Sequence, residues 1–390
     1  MSWTVAKLGE VCKIVSGSTP SRVKPELWDG GVFWITPKDL DESRILELYE
    51  SPETISDKGL ASCSTQILPV DSVLFSSRAP IGLVAINKVP LCTNQGFKSL
   101  VPGEKIHYKY LAYWLKAHKL QLQAMGNGAT FKELSKSIFE KVEIPLPPLP
   151  IQKKIAAVLE KADELRRKRE EQIKRLDDLL QATFLDMFGD PVTNPKGWNK
   201  KKLGELGQLD RGKSKHRPRN APELLGGVHP LIQTGDVANS DCYITEYSST
   251  YSDIGLAQSK MWEAGVLCIT IAANIAKTAI LGINACFPDS VVGFIPGKET
   301  NVEFIHTWFS FFQQILEKNA PESAQKNINL AILRDLEVIT PPVYLHAKFK
   351  CIFEGIYKKI KKIQKENLAF STILFNSLMQ RAFKGELDLV

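Results

Sequence analysis

The chain has no cysteine pair at CxxC spacing, no HxxxH or HExxH among its six histidines, and no apolar run long enough to cross a bilayer. Seven scattered cysteines (residues 12, 63, 92, 242, 268, 286 and 351) argue against a disulfide framework or a thiolate metal site. The longest apolar window, 265–276, falls far short of the roughly 20 residues of a spanning helix. The start, MSWTVAKLGEVCK, lacks the apolar core of an export signal. These absences point to a cytoplasmic, globular protein with reduced thiols and no metal site.

Motifs of catalysis are missing as well. Gly207-Gln-Leu-Asp-Arg-Gly-Lys213-Ser214 fits the phosphate-binding pattern GxxxxGK[ST]. That mechanism needs a helix directly after the loop, its N-terminus facing the phosphates. Here KHRPRNAP comes next, with Pro218 and Pro222, and no apolar run ending in aspartate supplies a Mg²⁺ ligand. Thr340-Pro-Pro-Val lacks the Asn or Asp with which an amino-methylating site holds its target, and no glycine-rich S-adenosylmethionine loop is present. The chain therefore offers no catalytic residue and no cofactor site of its own.

What is present is length and repetition. At 390 residues the chain has room for two or three domains. From Ile151 to Met187, residues 151, 155, 158, 162, 165, 169, 172, 176, 180, 183 and 187 recur at steps of four and three, a heptad seam charged across its middle. Such a helix is about 55 Å long, more than one compact domain can cover. A second long helix begins after Pro341-Pro342, with Phe349, Phe353, Ile356, Ile360, Ile363, Phe370, Leu374, Leu378 and Phe383 at similar steps. Each comes after a domain-sized segment, so an antiparallel pairing is expected, with two unrelated surface helices as the alternative.

The halves resemble each other. WTVAKLGEVCKIVSG (3–17) and WNKKKLGELGQLDRG (198–212) share Trp, Lys-Leu-Gly-Glu and a final Gly at an offset of 195. At an offset of 194, Pro102-Gly103, Trp114, Lys132, Glu143 and Pro147-Pro148 meet Pro296-Gly297, Trp308, Lys326, Glu337 and Pro341-Pro342. This is a tandem duplication of domain plus helix. Short β-branched runs predict strands near 32–36, 73–76, 81–86, 231–233, 266–271 and 279–283, and helical spacing predicts core helices over 109–125 and 302–318. FGDPVTNPKGW (188–198) reads as a turn-rich connector.

Net charge is +7 but uneven: 194–220 holds nine basic residues against two acidic, and 348–365 holds seven lysines against Glu354. Concentrated positive charge suits a polyanion. Arginine matches guanine O6 and N7, and Asn or Gln matches adenine N6 and N7. In the first half the candidates for DNA contact are Lys38, Ser76, Ser77, Arg78, Asn94, Gln95 and Lys132. In the second they are Arg211, Lys213, Lys215, Arg217, Arg219, Gln233, Thr234, Asn274, Lys277 and Lys326. Basic members of such sets mostly touch phosphate. On the helices, Ile173, Leu179, Tyr357 and Phe375 either dock partner subunits or complete the helix-pair core.

IPLPPLPIQ (144–152), FGDPVTNPKGW (188–198) and LMQRAFKGEL (378–387), joined to the two-domain, two-helix repeat, resemble the specificity (S) subunits of type I restriction–modification systems. Two departures concern the helix starts. Ile151 stands where family members carry an acidic residue, and the second copy has Val343-Tyr-Leu-His346 without the glutamine. The resemblance implies an α+β, pseudo-two-fold chain of two mixed recognition domains joined by two long helices packed as an antiparallel coiled coil. Its parts are target recognition domain 1 (1–143), a central spacer helix (144–187), target recognition domain 2 (188–340, beginning with the connector 188–198) and a C-terminal spacer helix (341–390). It implies a non-catalytic subunit that binds double-stranded DNA and docks two methyltransferase (M) subunits. Those carry S-adenosylmethionine for adenine-N6 methylation, and restriction (R) subunits add ATP- and Mg²⁺-dependent cleavage. The competing reading is a coiled-coil DNA-binding regulator without a methylating partner.

Overall fold

The structure, a computed structural model, describes residues 3–78, 80–126, 133–272, 274–319 and 328–387, with 312–319 described as backbone. The chain divides into two compact units, Met1–Glu170 with Glu366–Val390, and Glu171–Lys365. Each is α+β.

In the first unit a mixed five-stranded sheet runs in the order Cys12–Ser16, Lys98–Pro102, Val73–Phe75, Val84–Asn87, Leu46–Leu48, its last pair parallel. A smaller sheet pairs Glu53–Ile55, Trp28–Ile35 and Cys92–Thr93. A short ribbon, Val5–Lys7 with Glu143–Pro145, closes the domain at the root of the long helix. The second unit repeats the scheme. Its five strands are Gly207–Arg211, Val291–Pro296, Leu267–Thr270, Thr278–Leu281 and Tyr243–Ile244, again ending in a parallel pair. Its smaller sheet has four strands, and its ribbon is Lys200–Lys202 with Glu337–Ile339. Register repeats too: Cys12 faces Pro102 as Gly207 faces Pro296.

The shared sequence landmarks are structural. Glu10 and Glu205 accept from the backbone N–H of Lys7 and Lys202, capping a one-turn helix, and Leu8 and Leu203 are wholly buried. Gly17 and Gly212 sit where a Cβ would come within 2.1 Å of the Asn94 carbonyl and 2.2 Å of the Phe287 carbonyl. Trp114 and Trp308 are core residues of the helices Tyr108–Ala117 and Val302–Asn319. The connector folds on itself: Asn194 exchanges hydrogen bonds with the backbone of Trp198 (2.7 and 2.9 Å), and the Trp198 indole N–H donates to the Phe188 carbonyl.

The first long helix spans Leu149–Phe188, 40 residues. Its buried stripe shares Ile155 and Leu180 with the heptad reading and otherwise lies one residue later, with Ile151, Ala162, Leu176 and Met187 of that reading partly buried at its edge. Gln152, Ile155, Ala156, Leu159, Asp163 and Arg166 are buried in the first unit, while Leu165 is 43% exposed; Leu180, Phe184 and Phe188 are buried in the second. The helix packs on a globular core as well as on another helix, so its covered face is wider and rotated relative to a strict 3.5 repeat. In the first unit this face meets Phe375, Ala382 and Phe383 of the C-terminal helix; in the second it meets Phe349, Phe353 and Ile356. Early residues of one helix thus share a core with late residues of the other, and the two run antiparallel within each unit.

The C-terminal helix is not uniform. Val343–Glu354 and Lys362–Lys384 are α-helical, and Gly355–Lys361 between them is π-helical. A π turn adds a residue to the cycle and rotates every later side chain about the axis. Ile360, Ile363, Phe370 and Leu374, expected in the seam, are 46, 55, 72 and 50% exposed, and Lys361 is buried instead. Its ammonium lies 2.5 Å from both Asp177 and Asp241. Arg166 plays the matching part in the first unit, bonding Asp163 (2.9 Å), Glu170 (2.6 Å) and the Ser43 carbonyl (3.1 Å).

Gln152 anchors the first helix, accepting from the His107 N–H (2.8 Å) and donating to the carbonyls of Lys105 and Pro147. Its counterpart His346 is buried against Phe304, and among the described residues neither ring nitrogen has a hydrogen-bond partner. Burial lowers its pKa to about 4 despite the nearby Pro341 carbonyl, and burial does the same to His306. Between the usual value near 6.5 and about 4, the unfolded chain binds protons that the folded unit does not, so stability falls as pH drops through that window. We expect His346→Gln to stabilise the second unit by about 1 kcal/mol at neutral pH, by restoring helix-start hydrogen bonds. The gain should be larger near pH 5, and thermal unfolding at the two pH values measures both.

Candidate nucleic-acid interface

The first unit carries an open cleft of about 850 Å³ between the two sheets' loops, and four of its wall residues are Lys38, Arg78, Asn94 and Gln95. Lys38 projects from the turn Pro37–Asp39, whose start is fixed by Asp39 accepting from the Thr36 N–H and hydroxyl (2.7 and 2.9 Å). Asn94 and Gln95 occupy the turn into strand Lys98–Pro102. Asn94 accepts from the Gly96 N–H (2.9 Å), and Gln95 accepts from the Thr19 hydroxyl. Ser76 and Ser77 do not face the cleft. Both are wholly buried: the Ser76 hydroxyl donates to the Pro80 carbonyl and accepts from the Leu83 N–H, and the Ser77 hydroxyl donates to the Gly96 carbonyl. They build the turn that presents Arg78.

Arg78 donates from Nε to Glu133 (2.8 Å), whose other oxygen lies 3.2 Å from Lys98. Burial pushes the Glu133 carboxyl up, yet hydrogen bonds from Arg78 and Lys98 outweigh it and hold the group below the usual carboxylate range. The cleft also includes Arg22 and Trp34, which sequence reasoning missed. Arg22 lies 3.7 Å over the Trp28 ring and forks onto Glu53 (2.5 and 2.9 Å). A signal existed: Arg22 sits 195 positions before Arg217.

In the second unit the arginines gather on one carboxylate. Arg219 and Arg217 reach the side chain of Asp289 (2.6 and 3.5 Å), and Arg211 donates to its carbonyl (3.0 Å). At the repeat offset of 194, Asp289 replaces Gln95. Lys213 and Lys215 are exposed and form no ion pair among the described residues. Gln233 and Thr234 open the helix Thr234–Asn239, with the Gln233 N–H on Asp236 (2.7 Å). Asn274 takes a positive φ of 43° in the loop after strand Leu267–Thr270, and exposed Lys277 ends that loop. Lys132 and Lys326 lie outside the described residues.

Of the helix positions, Leu179 is 52% exposed and Ile173 half-buried. Phe375 is instead buried against Tyr113, and half-buried Tyr357 donates its hydroxyl to Asp177 (3.1 Å). Those two aromatics belong to the packing of their units rather than to a docking face.

The model of the type I restriction modification DNA specificity domain family matches residues 1–175 and 195–378, once per repeat. The chain belongs to this family. Among specificity-domain relatives, it is 27% identical to the MjaIX type I restriction enzyme specificity subunit of Methanocaldococcus jannaschii, over 99% of this chain and 93% of that one. It is 24% identical to the EcoKI specificity subunit of Escherichia coli, over 85 and 77%. Two solved structures share the fold: a chain from a type I R-M system studied for complex assembly and conformational transition (TM-score 0.60, 19% identity, 99 and 98% covered), and the type I S subunit from M. genitalium (0.59, 14%, 98 and 96%). No described helix is long and apolar enough to cross a membrane.

If the arginines on Asp289 face DNA phosphates, Arg217→Ala and Arg219→Ala should weaken binding to every duplex alike. Each lost contact should also cut the slope of log K against log salt by about 0.9. Titration of the assembled complex at several salt concentrations reads both; a loss confined to one DNA sequence would make them base readers.

Proposed function

We propose that the chain is the sequence-recognition subunit of a type I restriction–modification complex. In this reading it binds a bipartite, asymmetric DNA target and holds adenine-N6 methyltransferase subunits, and R subunits where they exist, on that target. The observation that carries it is the cleft that brings Lys38, Arg78, Asn94 and Gln95 together on a family-matched specificity domain. Residues 1–143 and 188–340 act as the two recognition domains, and 144–187 and 341–390 as spacer helices. Neither domain performs chemistry. S-adenosylmethionine belongs to the M subunits, and ATP with Mg²⁺ to the R subunits.

The domains share a frame and differ in their loops, which suits two different half-sites. Phosphate contacts from the exposed lysines and the arginines on Asp289 supply affinity, and side chains in the first unit's cleft supply selection. Exposed Leu179, Phe370 and Ile373 are apolar helix positions suited to an M-subunit surface. The helices set the distance between half-sites. Four residues inserted near Arg169 would lengthen the central helix by about 6 Å, close to two base-pair steps. The adenine-methylation pattern of a host expressing this variant with its M subunit should keep both half-sites and change the non-specific spacer. An unchanged spacer refutes the ruler, and binding without any methylating partner favours the regulator.

A further inference from the structure

Lys98 and Glu133 form a costly ion pair in the first unit. Lys98 is 7% exposed on a central strand of the five-stranded sheet. It faces Ser16 across the ladder as Val292 faces Arg211 in the second unit, so the sister domain fills the same place with a valine. A buried lysine in place of valine lowers stability unless a carboxylate and hydrogen bonds offset its desolvation. Glu133 supplies that carboxylate at 3.2 Å and commits its second oxygen to Arg78 Nε at 2.8 Å.

Arg78 is pinned through its backbone too. It bridges Glu133 in an isolated β pair, and the preceding Ser77 carbonyl accepts from the Leu134 N–H (2.9 Å). With Nε taken, Nη1 and Nη2 remain, and neither has a partner among the described residues. The other arginine on the cleft has both Nη atoms committed to Glu53. A guanidinium held by Nε presents its two-donor end, which matches guanine O6 and N7 in the major groove. At the repeat offset, Arg78 corresponds to Ala272.

We infer that Lys98 and Glu133 are positioning residues that aim Arg78 as a guanine reader, and that this reader serves one half-site only. The inference rests on the recognition reading above and specifies the base it selects in the first domain's half-site.

The test uses the assembled complex with its M subunits. Methylome sequencing of the expressing host defines the target, and methylation rates on duplexes substituted at each target position measure preference. Arg78→Ala and Arg78→Lys should reduce discrimination at a single G·C pair by about ten- to a hundredfold and leave every other position unchanged. Glu133→Gln should relax the same position by a smaller factor. The pair Lys98→Met/Glu133→Gln removes the buried unpaired lysine and should relax it too, which separates aiming from folding. A merely structural role would lower methylation at all sites without changing the motif, and that result overturns the inference. So does a wild-type target with no G·C pair in the first domain's half-site, or relaxation by Arg78→Ala with both Glu133 variants unchanged. If the wild-type complex methylates with no motif at all, the recognition reading itself fails.

Discussion

The burial of the two long helices against the globular half of their own unit is the interaction on which the rest depends. Isolated helices of this composition would owe little to propensity, since most helix stability in proteins comes from packing an apolar face. Here Ile155, Ala156 and Leu159 share a core with Phe375, Ala382 and Phe383, and Phe184 and Phe188 share another with Phe349 and Phe353. The helix seam of each unit also buries a cation. Arg166 reaches back to the Ser43 carbonyl and Lys361 to Asp241, in both cases the segment leading into the edge strand of the five-stranded sheet. Charge in the seam thus ties helix to domain. Burial pushes the Asp241 carboxyl up, while hydrogen bonds from Lys361 and Lys365 outweigh it and hold the group below its usual range.

That frame is common to both units, and the units differ in what it leaves free. The capped one-turn helix, the close-approach glycines and the terminal ribbons repeat with their register. The differences fall where strands end: Arg78 against Ala272, Gln95 against Asp289, and beneath them Lys98 against Val292. One domain presents a single aimed arginine in a cleft. The other gathers three arginines around one aspartate. The first arrangement suits reading a base edge and the second suits neutralising phosphate; in the proposed reading, two domains of one ancestry would hold DNA by different chemistry.

Much of this was legible in the sequence because repetition and periodicity are strong signals. The tandem repeat, both long helices, the connector and the core helix near 302–318 all emerge from spacing; the helix expected over 109–125 breaks at His118 into Tyr108–Ala117 and Lys119–Ala124. Strand positions came within a few residues, although Trp28–Ile35 and Leu225–Leu231 begin earlier than their β-branched cores suggest. The seam was right at Ile155, Leu180, Phe349, Phe353, Ile356 and Phe383 and rotated elsewhere, because heptad counting assumes a uniform helix facing one partner. A π turn at Gly355–Lys361 and burial of Asp163, Arg166 and Lys361 break that assumption. Arg78, Asn94 and Gln95 were recognisable as polar residues at strand ends. Ser76 and Ser77 share that signature, and only packing reveals that their hydroxyls serve the turn. Glu133 carried no local signal, since its partners lie 55 and 35 residues away.

The central claim is that each domain selects its own half-site independently while the helices fix the frame. Replacing residues 3–143 with a copy of 198–337, the equivalent span of the second repeat, tests it most directly. Methylome sequencing of a host expressing this chain with its M subunit should return a palindrome of the second domain's half-site, with the original half-site of the first domain gone. A motif that still contained the original first half-site would contradict the account.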